Sequence, residues 1–169
     1  MTISRILRHL LVPAWRTRQA FPSRTLDAIE VAVKEAEQHH RGEIRFAVEG
    51  ALHGHALWRG QSPRDRALDV FSLLRVWDTA ENTGVLVYVL LADRAVEIVA
   101  DRGIAGQVQP DEWSAICRDM QTAFGQRQFE SGAVQGLKAI AALLTRHFAA
   151  DAASASKKTN ELPDRPVVL

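Results

Sequence analysis

The stretch WDTAENTGVLVYVLLADRAVEIVADRGI, Trp77–Ile104, decides the fold. Its centre, GVLVYVLL from Gly84 to Leu91, offers no polar face to water, and a strand of that kind sits centrally in a sheet covered on both sides. AVEIVA, Ala95–Ala100, follows after only Ala92, Asp93 and Arg94. So short a link leaves no room for a crossover helix, and the two strands form an antiparallel hairpin. Asp78, Glu81 and Asn82 precede the apolar run and Asp101 closes it. The start of one hairpin strand and the end of the other share an edge, so these four residues converge.

Working outward, Ser62-Pro63-Arg64-Asp65 supplies an N-cap, a proline at the first helical position and an acid three residues after the cap. The helix continues through Ala67, Leu68, Phe71 and Leu74. Upstream, GEIRFAVEG alternates Ile44, Phe46 and Val48 with Glu43, Arg45, Ala47 and Glu49, the period of a strand with one apolar and one polar face. A right-handed helical crossover makes this strand parallel to the one at 84–91. Glu43 and the His39-His40 pair then join the acidic edge. The segment 51–61, read as a loop carrying His53, His55 and Trp58, falls at the opposite edge with Asp93 and Arg94. A helix with Leu26, Ile29, Val33 and Ala36 on one face precedes the first strand. Pro110 with Asp111 and Glu112 opens another that ends at Gly125, and a last helix spans about Phe129 to Phe148, where Gly132 and Gly136 admit a close neighbour. The order helix, strand, helix, strand, strand, helix, helix describes an α/β fold.

The chain of 169 residues, 47% hydrophobic and 24% charged, suits one domain with an ordinary core. A net charge of +1 gives no general field for nucleic acid. The charge is uneven, however. Residues 1–24 hold Arg5, Arg8, Arg16, Arg18 and Arg24 and no acid. Ile6, Leu7, Leu10 and Leu11 share a helical face, making residues 1–20 a basic amphipathic segment that packs on its own domain or meets a membrane surface or a partner protein of unknown identity. Arg8 and His9 interrupt the apolar stripe, so a secretory signal is not expected, and Val85–Ala92 is too short to span a bilayer. With Cys117 alone there is neither an internal disulfide nor a cysteine-based zinc cage. These features set the expectation of a cytoplasmic protein. Residues 21–149 form the domain, and 150–169 a tail, flexible in its first half and locally ordered at NELPD, Asn160–Asp164.

Two readings of the acidic edge stand side by side. Acids flanking strands serve as solvated turn and cap residues; oxygen-rich edges also hold Ca²⁺ or Mg²⁺ through carboxylates, amide oxygens and carbonyls. His53 and His55 lack a third ligand in view, and Cys117 lies among core positions of a helix. No phosphate loop, nucleophile elbow or His-Glu-x-x-His pattern is present.

Taken together, HHRGEIRFAVE, the Trp77–Ile104 stretch, the helix with Trp113, FESGAVQGLKAI and NELPD resemble the TPM domain family, which includes thylakoid-lumen proteins of photosystem II repair and many bacterial proteins. The resemblance covers the chain from about Phe21 onward. It implies a three-layer α/β/α sandwich around a small mixed sheet, and Ca²⁺ or Mg²⁺ binding at the acidic edge, as in several relatives. Asp78 and Asp101 occupy the positions expected to line that pocket, with Glu81, Asn82 or backbone carbonyls completing it. Ala100 departs from the glycine usual before the aspartate, and the glycine-rich tail of many members is missing. The leading expectation is a cation-binding accessory or interaction module without established turnover. The alternative, which the resemblance implies through the acid phosphatase activity attributed to some members, is a metal-assisted phosphomonoesterase with Arg102 as the group that meets phosphate.

Overall fold

In the computed structural model, residues 3–149 and 160–169 are described. Three helices precede the sheet: α1 (Ile3–Leu10), α2 (Ala14–Ala20) and α3 (Ser23–Glu37). The first strand, β1 (Glu43–Glu49), is followed by α4 (Gly54–Trp58) and α5 (Pro63–Leu73), then by the hairpin β2 (Gly84–Leu90) and β3 (Ala95–Ala100). After these come α6 (Arg102–Ala105), α7 (Pro110–Gly125), α8 (Phe129–Phe148) and β4 (Val167–Val168). The sheet order is β3-β2-β1-β4. β1 runs parallel to β2 from Glu43↔Gly84 to Glu49↔Leu90, and β2 is antiparallel to β3 from Val85↔Ala100 to Leu90↔Ala95. The expected crossover and hairpin are both present.

The sheet separates two cores. On one face Ile44, Phe46, Val48, Val85, Val87, Val89 and Ile98 pack with buried residues of α3, α7 and α8 such as Ile29, Val33, Met120, Leu137 and Ile140. On the other, Ala47, Leu86, Tyr88 and Val99 meet Leu57, Ala67, Val70, Val76 and Leu162. This is the three-layer α/β/α arrangement. Gly136 works as expected, since a Cβ there would meet the Met120 side chain.

The segment 51–61, read as a loop, carries the short helix α4, and α2 and α6 form where no separate element was expected. Each has too few residues for a periodic apolar stripe to declare itself. A larger difference lies in β1. Its alternation holds, yet the polar positions are covered as fully as the apolar ones, all seven residues being buried. The polar positions face partners distant in sequence. Glu49 accepts from Tyr88 and from Arg66 of α5; Arg45 donates to the carbonyls of Pro163 and Arg165; Glu43 accepts the amides of Glu161 and Leu162. Alternating hydrophobicity reports which side chains are apolar, not which are covered.

Those contacts fasten the chain's end. Leu162 is buried in the second core, Glu161 accepts the Ala80 amide at 2.7 Å, and β4 extends the sheet beside Ala47 and Val48. The NELPD end is therefore ordered as expected, whereas the flexibility expected of 150–159 lies outside the described residues. Truncation after residue 159 uncovers the β1 edge and strips Arg45 of two carbonyl acceptors. It is expected to cost about 2 kcal/mol in denaturant unfolding and to promote aggregation through the bared strand. An unchanged midpoint would show the tail to be a passive passenger.

At the opposite end, α1 is clamped to the hairpin turn. The Asp93 carboxylate accepts two hydrogen bonds from Arg5 Nε at 3.1 Å and one from Arg5 Nη2 at 2.7 Å. His9 is buried; its Nδ1 accepts the Leu52 amide at 2.9 Å, while Nε2 lies 3.1 Å from Asp93 Oδ1 without hydrogen-bond alignment. Burial opposes ionisation of Asp93, but Arg5 and His9 outweigh it and hold the carboxyl below its ordinary value. The clamp is thus complete at neutral pH. Its contribution is present above the unfolded carboxylate pKa and is lost as pH falls through the lower folded value.

Candidate metal centre

The α5–β2 connection and the β3–α6 junction meet at one sheet edge. The first is a tight loop in which Arg75 and Asn82 adopt left-handed φ of 54° and 55°; asparagine tolerates this region better than most residues. The Asn82 amide donates to the Thr79 carbonyl, and the Thr83 amide to Thr79 Oγ1. The Thr83 carbonyl takes the Glu43 amide, which ties the loop to the start of β1. In the second segment Asp101 caps α6, its Oδ1 accepting the Arg102 amide at 2.7 Å. The Asp101 amide donates to the Gly84 carbonyl at 2.8 Å, and the Gly103 amide to the Asn82 carbonyl at 3.0 Å. These cross-links bring the backbones of 81–84 and 101–103 together.

The four candidate side chains divide within this frame. Asp78 is paired with Arg75 at 2.7 Å, and Glu81 with Arg41 at 3.1 Å, all four side chains being partly open to solvent. Asn82 Oδ1 accepts from Arg102 at 2.8 Å. Asp101 differs: its Oδ2 is buried and has no hydrogen-bond partner among the described residues. Two residues on, Gly103 packs so closely that a Cβ would stand 2.6 Å from both the Glu81 and the Asn82 carbonyl oxygens. Two carbonyls and an unsatisfied carboxylate oxygen suit a hard cation. The fit is to that reduced donor set, because Asp78 and Glu81 would first have to leave their arginines.

Sequence reasoning gave no weight to Arg41 and Arg75, and it did not single out Gly103. Arg75 stands three residues before Asp78, a spacing that pairs charges within one turn. Arg41 reaches Glu81 only because β1 and β2 start side by side, which no local pattern announces. Among the described residues no three His, Cys, Asp or Glu side chains are gathered as a metal cluster. His53 and His55 are exposed on and before α4, far along the strands. Cys117 lies in a groove with Arg64, Glu97 and Trp113. Burial, with the Glu97 charge next, pushes its thiol up to about 11, so it stays protonated and weakly nucleophilic at neutral pH.

Among the described residues no helix is long and apolar enough to cross a membrane. The chain is similar to the NMR structure of the BA42 protein from the psychrophilic bacterium Bizionia argentinensis, with 29% identity and a TM-score of 0.74 over 87% of this chain and 94% of that one. No curated protein matches it. A family model described as the TPM domain matches residues 16–143, which takes in β1, β2 and β3, the loop pair with Asp78 and Asp101, and most of α8. The chain belongs to the TPM domain family.

Proposed function

We propose that this TPM domain is a divalent-cation-binding accessory module, cytoplasmic and without catalytic turnover of its own, that takes Ca²⁺ or Mg²⁺ between the loops 78–82 and 101–103. The observation that carries the reading is the buried Asp101 Oδ2, without a hydrogen-bond partner among the described residues, two residues before Gly103, on which the Glu81 and Asn82 carbonyls converge. A carboxylate oxygen withdrawn from water without a donor is costly. A cation would remove that cost, with Asp101 Oδ2 and the two carbonyls as its nearest ligands. Asp78, Glu81 and the Asn82 amide oxygen could complete the shell by releasing Arg75, Arg41 and Arg102.

Binding to the folded state alone raises stability by about 2.7 kcal/mol when the ion is at a hundred times its dissociation constant. Calcium or magnesium is therefore expected to raise the melting temperature and EDTA to reverse the rise. Asp101→Asn should abolish most of it, and because asparagine caps helices about as well as aspartate, α6 is kept. Asp93→Asn is unsuitable as a control, since it breaks the α1 clamp; Asp119→Asn, exposed on α7, should leave the response whole. No metal dependence in the unmodified protein, or a full response in Asp101→Asn, sinks the reading.

The esterase alternative retains one supporting observation: the guanidinium groups of Arg41, Arg75 and Arg102 surround the loop pair, and phosphate needs such donors. Each is already engaged with a side chain, which favours the accessory reading. Metal-stimulated hydrolysis of an aryl phosphate that disappears in Arg102→Gln would reverse that order.

A further inference from the structure

The N-terminal helices show an apolar face with nothing packed on it. Ile3 is 78% exposed, Leu7 52%, Leu10 70%, Leu11 66% and Trp15 58%. In α1 the same helix turns Arg5, Ile6 and His9 inward: Ile6 packs against the second core, and Arg5 and His9 hold Asp93. The outward row is therefore not the helix's packing face left loose. It is a second stripe, on a helix whose orientation the clamp already sets.

Charge says what that stripe faces. Residues 1–24 carry five arginines and no acid. Arg5 is spent on Asp93, but the Arg8 side chain is 51% exposed, and Arg16 and Arg18 are exposed on α2. Arg16 lies over the Trp15 ring, 5.7 Å from its centroid. Arginines flanking leucines and an exposed tryptophan are the composition of a helix that lies in a lipid headgroup layer. A second tryptophan, Trp58 at 69% exposure, ends α4, three residues before Gln61, whose carbonyl accepts from Arg5. A repeated copy of this chain offers no such match, because this surface is uniformly basic and would meet itself with like charge.

We propose that α1 and α2 dock the domain on an anionic membrane surface, with Ile3, Leu7, Leu10, Leu11 and Trp15 entering the headgroup layer and Arg8, Arg16 and Arg18 meeting lipid phosphates. Docking of this kind is reversible. It leaves the sheet edge with Asp101 at the far end of the strands from the clamp, open to the aqueous side.

The test is co-sedimentation of the full chain with vesicles of phosphatidylcholine alone or mixed with phosphatidylglycerol, in EDTA so that no cation bridge contributes. Binding is expected only with phosphatidylglycerol and should fall steeply as salt rises. Arg16→Gln with Arg18→Gln should weaken it roughly 25-fold, since each arginine near an anionic surface contributes roughly fivefold. Leu7→Ser with Leu10→Ser and Leu11→Ser should abolish it at an unchanged melting temperature, because none of the three holds the clamp. Equal binding to both vesicle types, retention in the leucine variant, or absence of binding overturns the proposal. So does a concentration-dependent dimer that the leucine variant loses, which would make the stripe a contact between copies.

Discussion

Glu49→Ala is expected to destabilise the protein by about 3–5 kcal/mol, the range for breaking a buried charged pair by removing one partner. Glu49 lies on the central strand β1, and its Oε2 accepts from the Tyr88 hydroxyl at 2.6 Å and from Arg66 Nε at 2.8 Å, while Oε1 takes Arg66 Nη2 at 3.1 Å. Its removal strands a fully buried phenol and a guanidinium. The Arg66 side chain is 24% exposed and recovers part of its hydration, which places the cost toward the lower end. Tyr88→Phe, which deletes one donor and leaves the ion pair intact, should cost only about 1–2 kcal/mol. Glu35→Ala, on the exposed side of α3, should stay within about 0.5 kcal/mol. Denaturant midpoints check all three, and a Glu49→Ala cost no larger than that of Tyr88→Phe would mean that Arg66 stands equally well alone.

The same network has a spectroscopic signature, because Tyr88 is the sole tyrosine. Burial, joined by the hydrogen bond to Glu49, pushes its phenol far above the ordinary value. The folded protein is therefore expected to show no tyrosinate absorbance on alkaline titration until it unfolds. The unfolded chain ionises Tyr88 at about pH 10. The stabilisation is therefore whole below that pH and declines above it, as the unfolded state releases a proton that the folded state keeps.

Gly84→Ala is expected to cost at least about 3 kcal/mol, above the usual range for overpacking because the obstacle is backbone. The α5–β2 loop folds back so that Val76 covers the start of β2. A Cβ on Gly84 would overlap the Val76 carbonyl oxygen and stand 2.9 Å from both the carbonyl carbon and Val76 Cγ1. No rotamer change relieves a carbonyl. Either the fully buried Val76 must move, or Gly84 must, and Gly84 accepts the Asp101 amide and pairs with Glu43. The substitution should consequently disturb the candidate metal edge as well as the fold. Gly106 provides the contrast: it caps α6 with a right-handed helical φ of −79°, and a Cβ there meets nothing within 4 Å. Gly106→Ala should be neutral or stabilise by up to about 1 kcal/mol. Similar midpoints for the two variants would show that the Val76 turn yields freely.

The amino-acid sequence alone determined the layered architecture and the shared edge. Those follow from local physics: a three-residue link cannot make a crossover, an all-apolar run cannot face water, and the Ser62-Pro63 cap starts a helix where it stands. That the segment before β2 and the segment after β3 meet at one edge was legible for the same reason, since strand direction alone sorts residues to sheet edges. Tertiary structure decided what each polar side chain does there. Glu81 meets Arg41 from 40 residues away, Asp93 meets Arg5 from 88, and Arg45 meets the Pro163 carbonyl from 118. Periodicity along the chain reports which way a side chain points, but the partner waiting there is supplied by another element. That is why β1, polar at alternate positions, is wholly buried, and why the orphaned Asp101 oxygen and the carbonyls crowding Gly103 emerge only once the two loops are folded against each other.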